Sequence, residues 1–117
     1  MVYPQEQVDE LKRYASKVGA LTEGNEIYIL LEELRLPEGC EPASCDALLR
    51  PFKGADGYPS QLYFSVLVKS PYSRNWNIVD ARICERNWFA FSWNVNVMSP
   101  TLVKILLAHL SGFTKEK

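Results

Sequence analysis

The sequence lacks several features that particular functions need. It has a single histidine, His109, in 117 residues, so a two-histidine metal site cannot be assembled from this chain alone, and a Ser-His-Asp triad would depend on this one residue. Positive charge is not in excess, because 13 Lys and Arg residues face 14 Asp and Glu residues. A basic surface for nucleic acid or acidic membranes is therefore not expected.

Long hydrophobic runs are also missing. The longest mostly apolar stretch, residues 101–113, contains Lys104 and His109 and is shorter than the roughly 20 residues that cross a bilayer. Residues 1–19 are rich in charge and have no signal-peptide core. The three cysteines are an odd number without the density of a disulfide scaffold, which favours a reducing compartment. We therefore predict a cytoplasmic protein with no membrane partner.

The cysteines and the histidine have ordinary structural interpretations. Cys40 and Cys45 form one Cys-x₄-Cys pair, without the second pair that zinc motifs require, so we predict no metal and no cofactor. Both are interpreted as structural. His109 shares a helix face with leucines and isoleucine, which is typical of a hydrogen-bonded core histidine. Two interpretations of Cys84 remain open: it is a small side chain buried in the core, as most free cysteines are, or it is a functional thiol.

The pattern of elements predicts one α+β domain over residues 1–117. Apolar residues at helical spacing predict a helix over residues 4–18 that ends before Gly19. A meander of three to four strands is expected next, with strands at residues 27–37, 46–52 and 61–69.

A second helix is predicted near the end of the chain. Ser99 suits its N-cap, Pro100 suits its first position, and apolar residues continue to Phe113. This helix would be the main cover of the sheet.

The segment from 70 to 97 has no single period. It holds all three tryptophans, five of the six asparagines and Cys84. Residues 88–93 predict a fourth short strand because they are mostly aromatic. Loops of this length are uncommon inside domains unless they are functional, so we predict an irregular functional segment here. The tryptophans are expected to pack in the core and against this segment.

The order of these features resembles the ubiquitin-conjugating enzymes and their UBC-like fold. The resemblance covers residues 27–113, and a divergent bacterial branch, prokaryotic conjugating-enzyme family E, is the closer likeness. The motifs that carry the general resemblance are Tyr58-Pro59, Trp76-Asn77-Ile78, Ile83-Cys84, Trp93 and Ser99-Pro100-Thr101-Leu102. Those shared with family E are Leu36-Pro37-Glu38-Gly39, Asp46-Ala47-Leu48-Leu49, Gly57-Tyr58-Pro59, Trp88 and Phe91-Ser92-Trp93.

The resemblance implies transthiolation in an irregular active-site flap before a C-terminal crossover helix. Cys84 would accept a ubiquitin-like modifier as a thioester from an adenylating activating enzyme and pass it to an amine of a target protein. Asn77, or else Asn75, would stabilise the oxyanion, and Asp80 or Glu85 would orient the amine. The bacterial branch suggests a role in phage defence.

Two features of the flap favour an alternative function. No His-Pro precedes Asn77, and Cys84 follows it by seven residues, one fewer than is usual in the family. Arg82 and Arg86 are expected to lower the pKa of Cys84, whereas Glu85 opposes them. The alternative is a catalytically inactive relative, comparable to RWD domains, that binds a protein partner. Exposure of Cys84 beside Asn77 would favour the enzyme, and burial among Trp88 and Phe91 would favour the binding module.

Overall fold

The computed structural model describes residues 5–24, 26–51, 60–72, 75–91 and 101–114. They form helices and one antiparallel six-stranded sheet, which confirms the predicted α+β class. The helices are α1 (Gln5–Leu11) and α2 (Leu102–Leu110), and a 3₁₀ turn (Ser111–Phe113) follows α2. The strands are β1 (Lys17–Glu23), β2 (Glu26–Arg35), β3 (Ser44–Arg50), β4 (Gln61–Phe64), β5 (Ile78–Ile83) and β6 (Arg86–Ala90). Their order across the sheet is β1-β2-β3-β4-β6-β5.

The sheet is covered on both faces, because alternate residues of its strands enter two different cores. In β2, Ile29 and Leu31 face the helices, whereas Tyr28 enters the opposite core. The buried residues that α1, α2 and the 3₁₀ turn add to the first core are Leu11, Leu102, Ile105, Leu106, Leu110 and Phe113. The buried residues of the second core are Tyr28, Leu48, Tyr63, Ile83, Trp88 and Ala90.

The β5–β6 hairpin covers the second face of the sheet. It joins β4 through a single residue pair, Phe64 with Phe89, and it places Ile83 and Trp88 in the second core. At its tip, the backbone N–H of Cys84 donates to Glu23 Oε1 at 3.0 Å. Glu23 is the last residue of β1, which forms one edge of the sheet, whereas the hairpin strand β5 forms the other edge. The sheet must therefore curve strongly for the hairpin tip to reach Glu23.

The first helix is shorter than predicted. It ends at Leu11, where Lys12 and Arg13 donate backbone bonds to residues three positions earlier, and Lys17–Glu23 forms a strand. Val18 packs in the same core as the helix, so its helical spacing from Leu11 reflected a shared core and not one element. Pairing with β2 outweighed local helix propensity.

The strand predictions were partly right. The structure confirms strands where β2 and β3 were predicted. The third predicted strand is cut short, since β4 ends at Phe64. The backbone N–H of Ser65 still donates to Asp46 O, one position beyond the last β3–β4 pair. The predicted irregular segment was wrong in its middle, because it contains the paired strands β5 and β6. The fourth predicted strand, residues 88–93, overlaps β6.

The C-terminal helix is confirmed with a different start. Thr101 is the N-cap, and its hydroxyl accepts the backbone N–H of Lys104 at 3.3 Å. Ser99 and Pro100, predicted to begin the helix, lie outside the described residues, as do Trp93 and Tyr58-Pro59. Gln7 of α1 accepts the N–H of Leu102 at 3.0 Å, so the two helices are joined at the start of α2.

Candidate functional site

Cys84 lies at the tip of the β5–β6 hairpin, in the two-residue turn between Ile83 and Arg86. Cys84 and Glu85 have φ values of +50° and +66°. Two consecutive positive φ values are typical of a type I′ turn, which usually contains Asn-Gly because asparagine and glycine tolerate positive φ better than other residues. Neither residue of this turn is therefore the choice that hairpin stability alone favours.

The immediate surroundings of Cys84 are acidic. Its backbone N–H is held by the Glu23 carboxylate, and Glu85 is its neighbour in the turn. Partial burial, and then the negative charges of Glu23 and Glu85, raise the pKa of the Cys84 thiol above its ordinary value. The thiol is half-buried and packs against the second core, which contains Trp88. Phe91, the other predicted neighbour, belongs to the first core.

The nearby arginines do not activate the thiol, contrary to the prediction. Arg86 Nη2 lies 3.1 Å from Asp46 Oδ2, and its guanidinium carbon lies 4.7 Å from the centroid of the Trp88 ring. Arg82 Nη1 donates to Asn87 Oδ1 at 3.4 Å. Both cations therefore have contacts elsewhere, and the pKa of Cys84 is raised where a lowered one was predicted.

The other predicted catalytic residues are not brought to Cys84. Asn77 lies directly before β5 and Cys84 directly after it, so the strand separates them by roughly 20 Å. Asn77 is exposed, and its backbone N–H donates to Asn75 O at 2.9 Å. Asp80 is exposed within β5 at φ +55°, where the register with β6 shifts. The positive φ therefore marks an irregularity of the strand.

Asp46 is a polar junction that the sequence did not reveal. Its Oδ1 accepts the backbone N–H of Glu33 at 3.0 Å, at an irregularity of β2, and its Oδ2 pairs with Arg86. One carboxylate thereby connects β2, β3 and the hairpin. The only sequence signal was the Asp46-Ala47-Leu48-Leu49 motif, which does not indicate these partners.

A buried polar pair lies under α2. Ser60 Oγ and His109 Nε2 are 2.8 Å apart, and both residues are buried. Burial, and then the positive charge of Arg50, lower the pKa of His109 to about 4. Because the pair is closed to solvent and His109 is hydrogen-bonded, the core interpretation of His109 is confirmed.

Two adjoining grooves open where the α1–β1 turn meets β2. The first encloses about 340 Å³ and is lined by Lys12, Arg13, Tyr14, Ala15, Ser16, Glu33, Arg35 and Ser44. The second encloses about 370 Å³ and is lined by Tyr14, Arg35, Leu36, Pro37, Leu107, Leu110, Ser111 and Thr114. Tyr14 and Arg35 belong to both, and we name the combined surface the Tyr14 groove. One end is basic and the other is mostly apolar.

The described residues contain no group of three or more His, Cys, Asp or Glu side chains that could hold a metal ion. Cys40 is buried, and Cys45 is half-buried with a pKa that burial raises to about 11. Within the same residues, no helix is long and apolar enough to cross a membrane. Comparison of the chain with protein families, with curated proteins and with solved structures found no match.

Proposed function

We propose that this chain is a UBC-like protein-binding module that takes part in ubiquitin-like modification without forming a thioester itself. One observation carries the proposal: among the described residues, the carboxylates of Glu23 and Glu85, and not a cation or Asn77, act on Cys84, the only cysteine in the sequence of the predicted flap. The module would bind a ubiquitin-like modifier or its activating enzyme, and other proteins would carry out the transfer.

The architecture supports the UBC-like part of the proposal. A first helix, an antiparallel meander from β1 to β4 and a C-terminal helix follow one another in the order that the resemblance implies. α1 and α2 pack on the same face of that sheet. The β5–β6 hairpin lies between β4 and α2 in the chain, where the resemblance implies a flap.

The chemistry of Cys84 supports the catalytically inactive part. Attack on a thioester requires the thiolate, whose fraction at neutral pH falls when neighbouring carboxylates raise the pKa of the thiol. Stabilising the oxyanion requires a donor about 3 Å from that atom, whereas Asn77 is at the other end of β5. The described surroundings of Cys84 therefore lack both aids to acyl transfer.

The Tyr14 groove supports the binding part. Lys12, Arg13 and Arg35 outnumber Glu33 among its charged lining residues, and the Lys12 ammonium also pairs with Asp9 at 3.2 Å. Leu107 is 42% exposed at the apolar end. An occupant with complementary chemistry is a protein segment that carries an aliphatic side chain beside an acidic one.

The test is a loading reaction that contains the chain, its candidate modifier, the activating enzyme and ATP. We expect no thiol-labile adduct on the chain in a non-reducing gel, and the same result for the Cys84→Ser variant. A thioester on the activating enzyme shows that the reaction is competent. In the same mixture the wild-type chain should co-elute with the modifier or the activating enzyme.

Arg35→Glu is expected to weaken that co-elution, and Lys104→Glu, a matched charge reversal on the outer side of α2, should leave it unchanged. Absence of binding to either protein would contradict the module. A thiol-labile adduct that the Cys84→Ser variant loses, or that it replaces with a stable oxyester, would establish the conjugating enzyme.

The conjugating enzyme is the second candidate, and one observation favours it. Cys84 is partly exposed at a hairpin tip, where a modifier tail can approach without entering the core. In this case a bound partner must supply the oxyanion donor and offset the charges of Glu23 and Glu85.

A further inference from the structure

Among the described residues, β1 is an edge strand whose backbone pairs on one side only. Its seven residues pair with β2 from Lys17↔Glu32 to Glu23↔Glu26 without a register shift, and β2 is the only described strand that pairs with it. The five residues between Lys17 and Glu23 carry neither charge nor proline. Natural edge strands usually avoid this combination, because it offers free backbone groups to another strand.

The opposite edge of the sheet is protected in the usual way. β5 has a register shift between Ile78 and Ala81, and Asp80 within it has a φ of +55°. An irregularity and a charged residue both discourage pairing with another chain. The two edge strands therefore differ: β1 is regular and could pair with another strand, whereas β5 is irregular and could not pair as easily.

The sequence of β1 is complementary to itself in the antiparallel direction. When Ala20 lies on a two-fold axis, Lys17 of one copy faces Glu23 of the other. The remaining pairs are Val18 with Thr22, Gly19 with Leu21, and Ala20 with itself. Opposite charges and β-branched residues are favourable cross-strand partners. A Cβ atom at Gly19 would meet no heavy atom within 4 Å, so the space beside Gly19 is open.

The neighbouring charges agree with this register. Lys17 already faces Glu32 across β2, so Glu23 of a second copy would place the ammonium between two carboxylates. In the second copy, Glu23 pairs across to Glu26 of its own β2 strand. The Oε2 atom of that Glu26 lies 3.8 Å from Arg50 Nε of the same copy. A positive side chain at position 17 is therefore favoured by both sheets.

We propose that two copies of this chain associate through their β1 strands, in the register centred on Ala20, and form one continuous antiparallel sheet. This proposal does not depend on whether Cys84 is catalytic, although the dimer contact uses Glu23, which also accepts the Cys84 N–H. Its small contact, one strand from each copy, predicts a reversible dimer and not an obligate one.

The test measures molar mass by light scattering and sedimentation over a concentration series of the full chain. We expect a monomer–dimer equilibrium for the wild type. Lys17→Glu places like charges opposite each other at both ends of the strand pair and should raise the dimer dissociation constant about tenfold or more. The double variant Lys17→Glu/Glu23→Lys exchanges the two charges and should restore dimerisation, whereas Lys104→Glu should behave like the wild type.

The Glu23 substitution also removes the acceptor of the Cys84 N–H, so folding of each variant is checked by circular dichroism. Hydrogen exchange of the wild-type β1 amides provides a second measurement that needs no variant. Amides that face away from β2 should exchange more slowly as the protein concentration rises. A wild-type chain that stays monomeric at millimolar concentration would overturn the proposal, as would a dimer that Lys17→Glu leaves intact.

Discussion

Replacing Trp88 by alanine is expected to lower the free energy of unfolding by about 3–5 kcal/mol. Trp88 is fully buried, and its indole N–H donates to Ile83 O at 3.0 Å. Its ring also lies beneath the Arg86 guanidinium. Because Trp88 fills the core between the hairpin and the sheet, its removal leaves a cavity on the face opposite the helices. Since domains of this size are stable by about 5–15 kcal/mol, the loss is a large fraction of the total.

Urea denaturation followed by circular dichroism measures this effect. Val79→Ala is the matched control on the same hairpin, because Val79 is 54% exposed, and it should change the free energy of unfolding by less than about 0.5 kcal/mol. Trp88→Phe keeps an aromatic ring but loses the hydrogen bond, so its effect should fall between the two. Equal effects of Trp88→Ala and Val79→Ala would show that the hairpin does not pack on the sheet.

Acid is expected to destabilise the protein through His109. Its pKa is lowered to about 4 in the folded state, while an unfolded histidine titrates near 6.5. Between these values the unfolded chain binds a proton that the folded chain does not, so stability is full above pH 6.5 and declines as pH falls towards 4. The difference of about 2.5 units corresponds to about 3 kcal/mol over this range.

The control for this titration is His109→Gln, which keeps a polar group near Ser60 but does not titrate. Denaturation at a series of pH values gives the free energy of unfolding of the wild type and of the variant. The two curves should diverge below pH 6.5, because titrating carboxylates affect both proteins whereas His109 affects only the wild type. Parallel curves would contradict the buried neutral histidine. The groups that face His109 are the hydroxyl of Ser60, which is hydrogen-bonded to it, and the positive charge of Arg50, which acts on its pKa and is itself paired with Glu26.

The elements that were predicted well are those whose structure is determined by their own local sequence. β2 is a long run of β-formers that begins just after a turn, and α2 combines a cap with helical spacing. The first two residues of β1, Lys17 and Val18, were wrongly assigned to the first helix, because Val18 continued the apparent helical face of Leu11. Only pairing with β2, in which Val18 lies opposite Leu31, reveals that Val18 lies on a strand.

The β5–β6 hairpin escaped prediction for a related reason. Its turn is Cys84-Glu85, without the glycine or asparagine that usually marks such a turn. β5 is also irregular, since its register shifts near Asp80, so strict alternation is lost. The aromatic residues of β6 remained recognisable, and a strand was predicted over part of it.

The candidate site was predicted in part. Cys84 was found from its place in a polar segment rich in arginine and asparagine. The partner that most affects it, Glu23, is 61 residues away in sequence and reaches it only because the hairpin crosses the sheet. The sign of the charge around Cys84 is therefore a property of the fold, which no local pattern could supply.

The most direct test of this account is the pKa of Cys84, measured from the pH dependence of its alkylation rate, with the modified peptide quantified by mass spectrometry. We predict a pKa above the ordinary value of a cysteine thiol. The Glu23→Gln and Glu85→Gln variants, which keep the shape of each side chain without its charge, should each lower it. A wild-type pKa below the ordinary value, unchanged in both variants, would show that Cys84 is an activated thiol and would contradict the proposal of a catalytically inactive module.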